Sequence, residues 1–424
     1  MRVRAMAAGI LAAALIAAWC PAAELSPVAL RLVGQVRNFA NGVNLVEGRE
    51  LAGPQGLAVD PTGSSSHLYV ADTLNHRVLG WRDAARFSSG ATADLVIGQP
   101  DLFTASSNTP GPALGLWQPW GVAVDAAGNL WIADTGNHRV LRYPQPFAQR
   151  IPAPDLVIGQ TSLTGRERNM GATDPNEFTL AGPVAVAVNA RGDLAVSDAG
   201  NRRVLVFSAA SLATNGPPAV AVLGQGNFSG SSASAGTAGL TQPAGLAFDE
   251  AGRLYVADAG SNRILQYPPA PATGSVTLRV ISGNRDEAPR GPQTLLRPLG
   301  VAASGEDLWV ADTGNHRLLR FSNLGRSIEV RPAADAVFGQ AGFTSGLPNG
   351  GSRAMPLASA QSLASPARWR WRSTPAVTWR CRTRAITGCW CFRRQRSRRT
   401  ARRRWPCWGR GISPARPRAP ARRG

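Results

Sequence analysis

The chain contains no lysine, and its five cysteines lie at positions 20, 381, 389, 391 and 407. Residues 24–365 therefore hold no thiol, which excludes disulfides and cysteine nucleophiles from that region. Long apolar runs are also missing, because the run from Met6 to Ala18 is too short to cross a bilayer. The sequence thus predicts no transmembrane segment.

The first residues have the pattern of a secretory signal. Arg2 and Arg4 precede the apolar run, and small residues at Ala22 and Ala23 follow it. We predict that residues 1–23 are a signal peptide and that the protein is secreted or periplasmic. Trp19 stands where bacterial lipidation requires a small residue before the cysteine, so we do not expect Cys20 to anchor a lipoprotein.

A segment close to GVAVDAAGNLWIADTGNHRVLRY (121–143) occurs five times, with copies that open near Pro54, Pro119, Pro183, Pro243 and Pro298. Apolar residues alternate within each copy, which indicates strands, and the Gly-containing segments DAAGN and DTGN indicate turns between them. A fourth apolar segment follows each copy, at 94–99, 155–160, 221–225, 279–283 and 336–340. Four antiparallel strands per unit, repeated radially, predict an all-β fold of the β-propeller type with five intact blades.

The quoted segment resembles the NHL repeat, and the resemblance covers residues 28–365. It implies a propeller, most often of six blades, whose relatives include binding domains and a few enzymes. The opening residues 28–36 resemble a fourth strand that has no preceding partner. We expect this segment to pair with the last blade and to close the propeller.

The formal net charge of +20 comes almost entirely from the end of the chain. Residues 366–424 hold 19 arginines and no acid, whereas the rest holds 27 arginines and 26 acids. We interpret residues 366–424 as frameshifted and, as printed, disordered. Codons compatible with residues 366–392, read two nucleotides later, encode PVAVAVDAGGDLAVSDTGNHRVLVF, a sixth repeat, and those for 404–411 encode VAVLGQG, a fourth strand.

The alternative is that residues 366–424 form an arm that binds RNA or an acidic surface, because arginines neutralise phosphates and tryptophans stack on bases. Under the frameshift interpretation no nucleic-acid partner is expected.

A polar motif, DxxNxR, recurs at the turn into each third strand. Because one active site would not need the same residues in every blade, we interpret the motif as structural. Its members are Asp72, Asn75, Arg77, Asp134, Asn137, Arg139, Asp198, Asn201, Arg203, Asp258, Arg263, Asp312, Asn315 and Arg317, with Ser261 in place of the asparagine in the fourth copy. His76, His138 and His316 lie within this motif on different blades, too far apart to share a zinc ion. His67 is expected on a surface turn.

Enzymes of the propeller class are the alternative function. In the amidating lyases that the resemblance brings in, metal-binding histidines lie beside the proline that opens the repeat. The matching positions here are Gln55, Trp120, Val184, Ala244 and Leu299, none of which is a strong zinc ligand. No paired channel carboxylates support a lactonase either. We predict no catalytic residue, no metal ligand and no cofactor, and leave channel Ca²⁺ or Zn²⁺ open.

The connections between blades are long and polar, and they carry aromatic residues. We expect them on the same face as the DTGNHR turns, where they either recognise a partner or cover the blade ends. The candidate binding residues are Gln55, Phe103, Trp117, Trp120, Phe178, Phe228 and Phe343. The sequence thus predicts a monomeric, non-catalytic module that binds an extracellular or cell-envelope protein or glycan, with a lactonase or amidating lyase as the alternative.

Overall fold

The computed structural model describes residues 32–34, 44–60, 62, 66–234, 236, 239–281, 290–324 and 331–348. The chain divides into one unit at Met1–Ser365 and another at Pro366–Gly424. The predicted signal peptide, most of the segment at 28–36 and all of residues 366–424 lie outside the described residues.

The described residues form five antiparallel sheets of four strands, and in every sheet the strands neighbour one another in chain order. The all-β propeller prediction is therefore confirmed. The first blade contains β1 Leu57–Asp60, β2 His67–Asp72, β3 Arg77–Trp81 and β4 Leu95–Ile97; the second β5 Pro119–Val124, β6 Leu130–Asp134, β7 Arg139–Tyr143 and β8 Leu156–Ile158; the third β9 Pro183–Val188, β10 Leu194–Asp198, β11 Arg203–Phe207 and β12 Ala221–Leu223; the fourth β13 Pro243–Phe248, β14 Leu254–Asp258, β15 Arg263–Tyr267 and β16 Arg279–Ile281; and the fifth β17 Pro298–Ser304, β18 Asp307–Asp312, β19 Arg317–Phe321 and β20 Ala336–Phe338.

Turn residues fix where the first and second strands of a blade meet. Asp125 follows β5, and its Oδ1 accepts hydrogen bonds from the backbone N–H groups of Ala127 and Asn129 at 2.9 and 3.0 Å. Asn189 does the same in the third blade, accepting from Arg191 and Asp193. An Asp or Asn here satisfies the N–H groups of a tight turn, so the strand ends at this residue.

The turn between the second and third strands is a short 3₁₀ segment, in the described part of every blade. A residue with left-handed backbone geometry follows each segment and lies directly before the third strand. The segments are Thr73–Asn75, Thr135–Asn137, Ala199–Asn201, Ala259–Ser261 and Thr313–Asn315. Three further 3₁₀ segments lie in connections, at Pro146–Ala148, Arg168–Gly171 and Ala209–Ser211.

The hydrophobic core lies between neighbouring sheets. Trp131 and Ala133 of the second blade pack in one cluster with Val186, Val196 and Leu205 of the third. Burying each such side chain contributes roughly 1.5–3 kcal/mol. Because the next blade covers these side chains, a blade cannot bury its apolar residues without its neighbour.

His67 is not on a surface turn as expected. It is the first residue of β2 and is partly buried, with its ring stacked 4.3 Å from that of Phe147. Its Nδ1 lies 3.2 Å from Asp60 Oδ2. No helix within the described ranges is long and apolar enough to span a membrane.

Candidate functional site

The DxxNxR motif forms a buried network at the start of each third strand. In the second blade, Asp134 Oδ2 accepts hydrogen bonds from Arg139 Nε at 2.7 Å and from Asn137 Nδ2 at 2.8 Å. Its Oδ1 accepts from the backbone N–H of Trp117 at 2.8 Å. The Asp–Arg pairs of all five described blades are 2.6–3.0 Å long.

In the first, second, third and fifth blades, the arginine of the motif connects the segment that enters the blade with the loop that leaves it. Arg139 donates to the carbonyl of Gly115 at 3.0 Å, in the loop that enters its blade, and also to the carbonyl of Leu163, in the loop that leaves it. Arg203 likewise donates to the carbonyls of Thr179 and Phe228. The loops and the DTGNHR turns therefore share one face, here called the loop face.

Burial sets the electrostatics of these carboxylates. It raises the pKa of Asp134 and of Asp198, and the arginine and the hydrogen-bond donors around each carboxylate oppose this shift. Since each of these aspartates is paired with the arginine of its own blade, the Asp–Arg pairs offer no free acid or base to a substrate.

Two histidines of the motif, His76 and His138, connect neighbouring blades. His76 Nδ1 accepts the backbone N–H of Gln118 at 3.1 Å, and His138 Nδ1 accepts that of Gly182 at 2.9 Å. Asn262 Oδ1 makes the equivalent bond to Arg297 N at 2.8 Å. Burial lowers the pKa of both His76 and His138. Within the described ranges, no group of three or more His, Cys, Asp and Glu residues could hold a metal ion.

Sequence reasoning missed a second set of loop contacts, made by a glutamine that lies two residues after the fourth strand. Gln99 Nε2 donates to the carbonyls of His76 and Ser106 at 3.0 and 2.9 Å. Gln160 donates to those of His138 and Glu167 at 3.2 and 2.8 Å. The recurring Gly-Gln pair in the sequence was the signal for this role.

A central cavity of about 250 Å³ is lined by the first strands of all five described blades. The five positions beside the opening prolines all line it: Gln55, Trp120, Val184, Ala244 and Leu299. Gln242 joins them, which the sequence did not suggest. Among the described residues that line the cavity, none has a titratable side chain. The cavity offers amide groups, one indole and aliphatic surface, which suits binding better than proton transfer.

The other candidate binding residues do not line this cavity. Phe103, Trp117 and Phe178 are exposed by 73%, 43% and 39% in the loops of the loop face. Phe228 and Phe343 instead pack against the clusters between blades, so they cover the blade ends. The structure thus divides the predicted set into two cavity residues, three exposed aromatics and two packing residues.

Five radial sheets around a central cavity define a β-propeller. The sequence model of the NHL repeat matches residues 116–143, 240–267 and 295–321, which lie in the second, fourth and fifth blades. The chain is an NHL-repeat β-propeller protein.

The chain is 27% identical over 289 residues to the protein SUPPRESSOR OF QUENCHING 1, chloroplastic, of Arabidopsis thaliana. The match covers 64% of this chain and 25% of that protein, so the chain spans about a quarter of this curated relative's length.

Three solved structures are similar at low identity. The nidogen/laminin complex is matched at 17% identity and TM-score 0.41, over 67% of this chain and 79% of that chain. The gluconolactonase XC5397 of Xanthomonas campestris is matched at 19% identity and TM-score 0.40, over 66% of this chain and 74% of that chain. A streptogramin B lyase is matched at 12% identity and TM-score 0.38, over 66% of this chain and 82% of that chain.

Proposed function

We propose that this protein is a secreted, non-catalytic binding module that recognises an extracellular or cell-envelope protein or glycan with its loop face. The observation that carries the proposal is the exposure of Phe103, Trp117 and Phe178 on loops that start from a rigid frame. Large aromatic side chains are the usual anchors of recognition surfaces, because they bury much apolar area with few rotatable bonds.

Attachment of the loops supports this proposal. The carbonyl of Leu102, directly before Phe103, accepts a hydrogen bond from Arg77 at 2.5 Å, and the N–H of Trp117 is held by Asp134. A partner that binds these aromatics would therefore order little additional backbone, which lowers the entropic cost of association.

The cavity supports the non-catalytic part of the proposal. The part of its lining that the structure describes contains Gln55, Gln242 and Trp120 as polar or aromatic groups and no carboxylate, imidazole, thiol or amine. General acid–base catalysis requires a titratable group within hydrogen-bond reach of the substrate. A lactonase or lyase reaction would need such a group at this position.

Retention of the purified chain on insoluble bacterial cell-envelope material tests the proposal. We expect Phe103→Ala to reduce retention at least tenfold, because it removes the most exposed aromatic of the loop face. Leu278→Ala is the matched control, since Leu278 is an exposed apolar residue before a fourth strand and outside these loops. Protease and glycosidase treatment of the envelope material distinguishes a protein partner from a glycan.

Equal retention of both variants and the parent chain would contradict the loop face as the binding site. Metal analysis of the purified chain provides a separate test. The purified chain could hold one equivalent of Ca²⁺ or Zn²⁺ that Trp120→Ala or Gln55→Ala releases. This result would show a metal ion bound in the cavity and would overturn the non-catalytic assignment.

A further inference from the structure

Among the described residues, one face of the fifth blade lacks the cover that the corresponding faces of the first four blades have. Leu318, on β19, is 37% exposed, whereas the residues at the same repeat position, Val78, Val140, Val204 and Ile264, are fully buried. Trp309 on β18 is only partly buried, while its counterpart Trp131 in the second blade is buried under the third. This face, formed by Trp309, Ala311, Thr313, His316 and Leu318, is called the fifth-blade face below.

The fifth-blade face also carries the hydrogen-bonding groups with which other blades hold their neighbours. Thr73 and Thr135 donate to the carbonyls of Pro119 and Pro183 in the next blade, at 2.7 and 2.6 Å. These two threonines and their counterpart Thr313 also bond a carbonyl of their own blade, at 3.3–3.5 Å, and among the described residues Thr313 makes this bond alone. His316 has the position from which His76 and His138 accept a next-blade N–H. Among the described residues, neither Thr313 nor His316 has such a partner.

The first blade is open on its opposite side. Leu57 and Val59 are 63% and 47% exposed, whereas Val122, at the position of Leu57 in the second blade, is buried. Part of that side is covered by Val33 and Leu51. Gly34 has φ +84°, and a Cβ placed on it would lie 2.5 Å from Leu51 Cδ1. Gly98, directly after β4, has φ +87°, and a Cβ placed on it would lie 2.6 Å from Leu116 Cδ1.

The contact between Gly34 and Leu51 thus repeats that between Gly98 and Leu116, which gives Val33 and Gly34 the positions that Ile97 and Gly98 have at the end of a blade's fourth strand. The first three strands of that blade are missing from the described chain. The fold thus needs further blade material between its fifth and first blades.

The corresponding face of the second blade, which the third blade covers, indicates what kind of surface would pack on the fifth-blade face. The two blades share the sequences LW(I/V)ADTGNHR and an arginine over the indole, with Arg142 and Arg320 at 5.6 and 5.9 Å from the rings of Trp131 and Trp309. The third blade, PVAVAVNARGDLAVSD (183–198), covers Trp131. The string PVAVAVDAGGDLAVSD, from the shifted frame, differs from it at two positions.

We propose that the fifth-blade face is the docking surface for a sixth blade, and that the shifted frame of the codons for residues 366–411 encodes this blade. Its opening proline provides the carbonyl for Thr313, and the residue before that proline provides the N–H for His316. Its VAVAV and LAVSD strands cover Trp309 and Leu318. Since the shifted string carries its own fourth strand, VAVLGQG, the segment around Val33 belongs to a blade beyond the sixth.

Two proteins test this proposal: the chain as printed and a chain made from the gene with its frame restored at codon 366. We expect amide hydrogen exchange of residues 317–321 to slow at least tenfold in the restored chain, to the level of residues 139–143 in both proteins. We expect Leu318→Asp to lower the thermal midpoint by several degrees in the restored chain and to change it little in the printed chain. Leu278→Asp, the matched control, should act equally in both.

Unchanged exchange at residues 317–321, or an equal effect of Leu318→Asp in both chains, would overturn the proposal. If the amides of residues 317–321 in the printed chain become protected from exchange as its concentration rises, and its mass in solution doubles, the surface binds a second copy of the chain instead. If the restored chain does not fold, mass spectrometry of the protein from its own cells decides the question. Peptides of the shifted frame support the sixth blade, and peptides of the printed residues 366–411 refute it.

Discussion

Asp134 and Arg139 are fully buried, so each depends on the other for compensation of its charge. Replacing Arg139 with Met would leave the carboxylate of Asp134 buried without its cation. We expect this change to lower the free energy of unfolding by about 3–5 kcal/mol. Arg86→Met, which removes an exposed pair with Asp83 at 3.7 Å, should cost about 1 kcal/mol or less. Urea denaturation of both variants checks this, and equal losses would mean that burial does not decide the pair's contribution.

His76 and His138 give the stability a pH dependence. Their folded-state pKa values are lowered below 6.5, so the unfolded chain binds more protons as the pH falls below that value. We expect their contribution to be complete above about pH 6.5 and to be lost as the pH falls through the folded-state pKa. Urea denaturation between pH 5 and 8 measures this loss.

Asn262 supplies the control for this histidine prediction, because it makes the same bond between blades without titrating. His138→Asn combined with His76→Asn should keep the stability at pH 7.5 and flatten its decline between pH 6.5 and 5. Asparagine also tolerates the left-handed geometry of these positions, where φ is 53–55°. An undiminished decline in the double variant would assign the pH dependence to other groups.

At the scale of the element, the fourth strand of each of the first three blades is joined to the next blade through a glycine packed on a leucine. Gly98→Ala forces a side chain into left-handed geometry and against Leu116, where its Cβ would lie 2.6 Å from Cδ1. We expect a loss of at least ~1 kcal/mol in the free energy of unfolding. Gly226→Ala, with no atom within 4 Å of its Cβ, is the control in the equivalent loop of the third blade. A loss no larger than that of the control would exclude this packing as a determinant of stability.

The strands themselves were predictable, since alternation and the Asp or Asn turns act within a few residues of sequence. The first blade differs: its first strand begins at Leu57 and not at Pro54, and the neighbouring Val59 is exposed. In the second, third and fourth blades the opening proline bonds into the sheet beside the motif aspartate. A strand boundary thus depends on the neighbouring blade as well as on the local pattern.

At the scale of the whole molecule, charge is divided unevenly along the chain. Residues 366–424 carry 19 arginines and no acid, and the remainder has a formal charge near +1, from 27 arginines and 26 acids. We expect the full printed chain to bind a heparin column and to elute only at high salt, and a chain ending at Ser365 to pass through. Retention of the shorter chain would show that the propeller has a basic surface of its own.

The strands, the five repeats and the turn motif follow from the amino-acid sequence, because each depends on alternation and hydrogen bonds between residues close in the chain. Which side chains act together depends instead on how the sheets pack. Gln55, Trp120 and Gln242 lie around one cavity because the first strands of the blades meet there. Phe228 and Phe343 pack between blades, and His76 and His138 accept hydrogen bonds from the next blade. These assignments depend on how one sheet packs against the next, and residues far apart in the sequence meet only through that packing.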